Sequence, residues 1–181
     1  MDRKQLGFYD ERDDLEAYRQ FIEQNRHPIA LLLDRVTNAR NIGSLYRLAD
    51  AARLEHIYAY QFEEYANGKK IKRVARAANE FVPFQPLKTL EEVKKLREKY
   101  QFVALEVTNT SIPYATFTPE KPCLLIIGNE QNGVSKELLD LAEKAIHIPM
   151  FGINTSMNVA MSTGIAVYGL LQNMGLVLGD S

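Results

Sequence analysis

The chain has 181 residues, 46% of them apolar and 25% charged, with a formal net charge of -1 at pH 7. That length fits one domain with a sizeable core, and the near-neutral balance gives no whole-chain basic footprint for nucleic acid, which leaves only a local patch to look for. A single cysteine, Cys123, excludes an intrachain disulfide and a multi-cysteine metal site, and its place in CLLIIG reads as a small core residue. No apolar run reaches the roughly 18 residues of a membrane span and no signal peptide opens the sequence, so the cytoplasm is the expected compartment.

In chain order, a polar stretch with acids at Asp10, Glu11, Asp13 and Asp14 precedes a helix expected from about Leu15 to Asn25, with Leu15, Tyr18, Phe21 and Ile22 on one side. IALLLD (29–34) is a short continuous apolar run, as a buried strand requires. TNARNIG follows as a turn, and Leu45, Leu48, Ala49 and Ala52 then recur at helical spacing. HIYAY (56–60) is the next strand, and FVPF (81–84) a weaker one, because Pro83 confines it to an edge or a strand end. Thr89 and Glu92 form a capping box for a helix. FVALEV (102–107) and CLLIIG (123–128) are further buried strands, separated by a long loop, TNTSIPYATFTPEKP. Ser135 is placed to cap KELLDLAEK, AIHIP (145–149) is a last short strand, and a long, largely buried helix is expected from about Ser156 to Met174.

Strands alternating with helices, with near-continuous apolar strands, indicate an α/β fold: a mostly parallel sheet covered by helices on both faces. Ligands of such sheets bind outside the carboxyl ends of the strands. The turns after Asp34, Glu106, Ile127 and Ile148 are therefore the places to look.

The first of these is DRVTNARNIGSLYR (34–47), with Asn41 at a helix start and Gly43 and Arg47 four residues apart on one face. Read alone, Asn41 is a helix cap and Arg47 a surface cation; it is neither a phosphate loop nor a dinucleotide fingerprint. IIGNEQNGVS (126–135) places Gly128 and Gly133 around Glu130, either as a turn that needs positive φ or as a backbone cradle for a ligand. In IPMFGINTSMNV (148–159), Ser156 and Asn158 both stand at the mouth of the last helix, where a cap needs only one of them. GKKIKRVAR (68–76) carries Lys69, Lys70, Lys72, Arg73 and Arg76, a solvated face in isolation and a phosphate-contacting footprint if the partner is RNA. His27, His56 and His147 have no spacing for a zinc site or a hydrolytic triad.

Taken together and in this order, the first three segments resemble the SpoU/TrmH family of the SPOUT class of RNA methyltransferases, over residues 29 to 174. Asn41, Gly43 and Arg47 match its first motif and Gly128, Glu130 and Gly133 its second. Ile148, Pro149, Met150, Ser156, Met157, Asn158 and Val159 match its third, with methionine at 157 in place of the usual leucine. The resemblance implies a C-terminal deep trefoil knot, S-adenosyl-L-methionine as cofactor, a homodimer, and methyl transfer to a ribose 2′-OH of RNA, with tRNA favoured over rRNA. It assigns cofactor contacts to Leu105, Val107, Gly128, Asn129, Gly133, Ile148, Met150 and Met157, and catalytic roles to Arg47, Asn41, Glu130, Ser156 and Asn158. Arg40 joins the Lys69–Arg76 run as the expected RNA-binding set, and no metal is needed. Arg47 is expected at the hydroxyl and a nearby phosphate, oriented by Asn41 and Glu130; a guanidinium holds its proton too tightly to be a good general base. Residues 1–28 read as a polar extension and helix, and 29–181 as the methyltransferase domain, so that substrate choice would rest on that domain, the short first helix and the basic run. Two alternatives belong to other classes: a non-catalytic RNA- or cofactor-binding module on the same fold, and an unrelated nucleotide-binding enzyme.

Overall fold

The computed structural model describes residues 15–62 and 78–176. Seven strands form one sheet: β1 His27–Asp34, β2 Leu54–Tyr60, β3 Phe84–Leu87, β4 Gln101–Leu105, β5 Ile112–Pro113, β6 Cys123–Ile127 and β7 Lys144–His147. Their order is β3-β2-β1-β6-β4-β7-β5, and every pairing between them is parallel. The helices are α1 Leu15–Gln24, α2 Ala39–Ala51, the single turn α3 Ala78–Phe81, α4 Leu90–Lys95, α5 Lys136–Leu141 and α6 Val159–Asn173. The acids at 10–14 and all five cations of the basic run lie outside the described residues.

The central strands are buried on both sides, which is why they read as unbroken apolar runs. Alternate residues of β1 enter opposite cores: Ile29, Leu31 and Leu33 pack with α2 and α6, whereas Ala30 and Leu32 pack with Tyr100, Phe102 and Leu138 on the other face. Cys123 is fully buried in the first core, and burial pushes its thiol up, so it behaves as an apolar core residue.

Several expectations need correction. FVPF is not a strand: Phe81 ends a helical turn and the strand begins at Phe84. Pro83 cannot donate a ladder hydrogen bond, but its carbonyl accepts one from Ile57 N at 2.9 Å, so it marks the entry to β3. The long loop after β4 contains the short edge strand β5 and a 3₁₀ turn, Tyr114–Thr116. The last helix starts at Val159, with Asn158 as its N-cap, and is buried on one face only. Ala166, Val167, Leu170 and Leu171 are inside, while Met161, Ile165 and Tyr168 are exposed at 62%, 37% and 45%. The capping box at Thr89 and Glu92 forms as expected.

β7 lies between β4 and β5, although β4 and β5 are joined to each other earlier in the chain. α6 is then fastened over the same loop. Asn173 Nδ2 reaches the carbonyls of Tyr114 and Phe117 at 3.2 and 2.8 Å. A Cβ on Gly169 would stand 2.4 Å from Tyr114 Cε2, so any larger residue would displace the ring from the helix.

Candidate active site

The carboxyl ends of β4, β6 and β7 and the loop leading into α6 surround a cavity of about 470 Å³. That volume is in the range of a nucleoside-sized ligand site. Leu105, Val107, Gly128, Asn129, Gly133, Ile148, Met150 and Met157, the eight residues expected at the cofactor, all line it. Glu130, Ser156 and Asn158 line it too. These positions come from three separate loops, which the parallel sheet brings to one edge.

The loop after β6 is held rigidly. Asn129 and Gly133 exchange main-chain hydrogen bonds at 3.0 and 2.9 Å, and Asn129 Oδ1 accepts from Gln131 N at 2.9 Å. Gly133 has φ +66°, which favours glycine. Gly128 is required for space: a Cβ there would lie 2.2 Å from the carbonyl carbon of Gly133. Two carboxylates brace the loop from outside it. Glu106 Oε2 accepts from Val134 N at 2.9 Å, and the fully buried Asp34 accepts from Ser135 N at 2.6 Å. Ser135 stands at the N-cap of α5 as expected but makes no side-chain cap hydrogen bond, so Asp34 fixes the main chain at the start of that helix without capping it.

At the cavity rim a chain of side-chain hydrogen bonds joins all three sequence segments. Asn158 Oδ1 accepts from Ala160 N and Met161 N at 3.0 and 3.2 Å, capping α6. That leaves Asn158 Nδ2 free to donate to Asn41 Oδ1 at 3.0 Å, and Asn41 Nδ2 donates to Glu130 Oε1 at 2.8 Å. The helix terminus supplies only donors and an ionised carboxylate only accepts, so the orientation of both amides is fixed by their neighbours. Asn41 is 8% exposed and lies within the first turn of α2, but it does not cap that helix. Asn38 does, accepting from Arg40 N at 2.9 Å, so the helix-cap reading of Asn41 is replaced by its role in the chain.

Arg47 lies on α2, six residues beyond Asn41, exposed and outside the cavity lining. Among the described residues no hydrogen bond or ion pair holds it, so the expected orientation by Asn41 and Glu130 is not seen; those two bond each other instead. Ser156 is exposed on the rim and Arg40 is exposed on α2. The sequence reading missed three groups. Glu106 and His147 line the cavity, and Asp34 fixes its loop. The signal for Asp34 and Glu106 was a carboxylate ending or directly following a buried strand. His147, whose Nδ1 lies 3.0 Å from Ser111 Oγ, gave no signal by spacing.

Comparison with known proteins identifies the family. The profile of the SpoU rRNA Methylase family matches residues 28–168. A tRNA (guanosine(18)-2′-O)-methyltransferase of Aquifex aeolicus is 31% identical over 161 residues, 85% of this chain and 74% of that protein. The 23S rRNA (guanosine-2′-O-)-methyltransferase RlmB of Blochmanniella floridana is 28% identical over 81% of this chain, which spans only 58% of that relative's length. Among solved structures, the A. aeolicus TrmH/SpoU tRNA modifying enzyme superposes with a TM-score of 0.74 at 27% identity, covering 88% of this chain and 83% of that one. An AdoMet-bound rRNA methyltransferase from Sinorhizobium meliloti gives 0.75 at 27% identity, covering 86% and 60%. The chain belongs to the SpoU/TrmH family of RNA methyltransferases.

Proposed function

We propose that the protein is an S-adenosylmethionine-dependent methyltransferase that modifies a ribose 2′-OH of RNA, with tRNA as the substrate class. The observation that carries this reading is the Asn158–Asn41–Glu130 chain on the cavity rim, whose middle residue, Asn41, lies on the helix that also carries Arg47. The names of the relatives support it: they include tRNA and rRNA guanosine 2′-O-methyltransferases. The cavity suits the cofactor, because Gly128 and Gly133 bring main chain to its wall in a loop closed too tightly for a Cβ at either position, and Leu105, Val107, Ile148, Met150 and Met157 offer apolar contact to a purine.

S-adenosylmethionine supplies an electrophilic methyl group on a sulfonium. The chain's own residues must align the ribose hydroxyl with it, since that hydroxyl is a poor nucleophile at neutral pH. Arg47 binds an RNA phosphate and positions the hydroxyl; its exposure leaves the guanidinium accessible to a large polyanion. Asn41, Glu130 and Asn158 act as one unit that fixes the end of α2 against the cavity. Ser156, free of capping duty, faces the ribose. Arg40 and the Lys69–Arg76 run contact phosphates, giving affinity without sequence choice.

The trefoil knot and the homodimer belong to the same reading. The insertion of β7 between β4 and β5, with α6 fastened across the intervening loop, supports a threaded chain. The exposed apolar row Met161, Ile165 and Tyr168 supports a symmetric partner on α6.

The test is transfer of labelled methyl from S-adenosylmethionine to total tRNA and to rRNA, followed by mapping of ribose methylation. Arg47→Ala is expected to lower transfer at least 100-fold while S-adenosylhomocysteine binds within about twofold of wild type. Normal turnover by this variant would remove Arg47 from the mechanism. Cofactor binding with no methylation of any RNA would favour a non-catalytic module.

A further inference from the structure

We propose that Glu106 is the group that recognises the ribose hydroxyls of the adenosyl cofactor, an inference that rests on the cofactor reading above. Glu106 follows the last residue of β4, between two positions assigned to cofactor contact, and its side chain lines the cavity. Its carboxylate is held in place by main chain alone: Oε1 accepts from Val107 N at 3.0 Å and Oε2 from Val134 N at 2.9 Å. It lies directly against Gly133, where a Cβ would come within 2.3 Å of Oε2. The second glycine of the G-x-E-x-x-G segment thus has two reasons to be glycine, its φ of +66° and the seat it leaves for this carboxylate.

An ionised carboxylate accepts about four hydrogen bonds. Two are taken by the main chain, one on each oxygen, so each oxygen keeps an acceptor site. Among the described residues no cation pairs with Glu106. A part-buried carboxylate in that state calls for further donors. A vicinal diol answers it, with two adjacent O–H groups facing two adjacent oxygens. An acid at a strand end performs the same task for the ribose in dinucleotide-binding folds. The cofactor's ammonium group is the competing donor. It is a point charge and makes no demand for two oxygens fixed in one plane.

The experiment is calorimetric titration of wild type and Glu106→Gln with S-adenosylhomocysteine, its 2′-deoxy and 3′-deoxy analogues, and 5′-methylthioadenosine, which keeps the diol and lacks the amino acid. Wild type is expected to bind each deoxy analogue about 10-fold or more weakly than the parent, the loss of a charge-assisted hydrogen bond. In Glu106→Gln that discrimination is expected to fall to about twofold or less. The amide also loosens the loop, because it offers a donor to one of two main-chain donors, but this weakens all analogues alike and leaves the ratio unaffected. A variant that still discriminates as wild type does, or a wild type that never discriminates, overturns the assignment. So does a variant that loses affinity for S-adenosylhomocysteine but none for 5′-methylthioadenosine, which would give Glu106 to the ammonium. If wild type binds none of the four nucleosides, the cofactor reading itself fails.

Discussion

The polarity of the Asn158–Asn41–Glu130 chain can be tested by reversing one link. Asn41→Asp keeps the shape but replaces the amide donor with a carboxylate 2.8 Å from Glu130 Oε1. Like charges at that distance repel by about 1.5 kcal/mol even at the dielectric of water. The lost hydrogen bond adds about 1 kcal/mol, a discounted figure because Glu130 is exposed and can turn to solvent. The expected cost at pH 8 is therefore about 2–3 kcal/mol, a fall in Tm of roughly 5–10 °C for a chain of this size. A carboxylate pair holds one proton more tightly than an isolated acid, so its folded-state pKa is raised. The deficit is then largest above that raised value and shrinks as the pH falls through it toward about 5. A second change, Glu130→Gln, restores a donor on the other side of the link. The double variant should recover to within about 1 kcal/mol of wild type and lose the pH dependence. Melting curves of the four proteins between pH 5 and 8 decide the matter. A double variant as unstable as Asn41→Asp, or an Asn41→Asp protein indistinguishable from wild type, would refute the donor–acceptor order.

The remaining predictions use other parts of the site and fold. Gly133→Ala forces a Cβ into the Glu106 carboxylate at a positive φ, so it should cost about 1–3 kcal/mol and abolish S-adenosylhomocysteine binding; retained affinity in calorimetry would show that the loop can move aside. His56 has its pKa lowered, first by burial, and its Nε2 has no hydrogen-bond partner among the described residues. A depressed histidine is neutral when folded, so stability is full above the ordinary value of 6.5 and declines as pH falls below it. His56→Phe, which keeps a ring stacked on Tyr58, should flatten that acid limb in pH-dependent melting; an unchanged slope would assign the acid limb to other groups. Met161→Glu places a charge on the exposed face of α6 and should convert a sedimenting dimer to monomer; a wild type that sediments as monomer removes the dimer reading.

What could be read from the sequence follows from how many neighbours each residue answers to. β1 and β6 are buried on both faces, so IALLLD and CLLII carry their structure in composition alone. Thr89 and Glu92 are three residues apart and bond each other, so their cap was legible too. Ile112–Pro113 was not, because a two-residue edge strand owes its existence to β7, over thirty residues later. Asp34 and Glu106 were visible only as strand-end acids. Their partners, Ser135 N and Val134 N, are main-chain groups without a sequence signature. Helix α6 misled for a different reason. An all-round apolar helix says that both faces want cover, and nothing in its composition says that Met161, Ile165 and Tyr168 stay exposed among the described residues.

The pairing of Ser156 with Asn158 follows from the same accounting. A helix start needs acceptors for its free N–H groups, and Asn158 supplies one through Oδ1 to both Ala160 and Met161. Its Nδ2 simultaneously donates to Asn41, so this one side chain joins the first turn of α6 to the first turn of α2 and, through Asn41, to Glu130. Serine at the same place could cap, but its single oxygen offers one donor hydrogen on the atom that does the capping, and it could not reach both ways with the same geometry. Asparagine separates the two tasks onto two atoms. Ser156 is left exposed on the rim with no cap to make. The polar surplus ahead of an apolar helix therefore divides into one residue that locks the site together and one that remains available to a ligand.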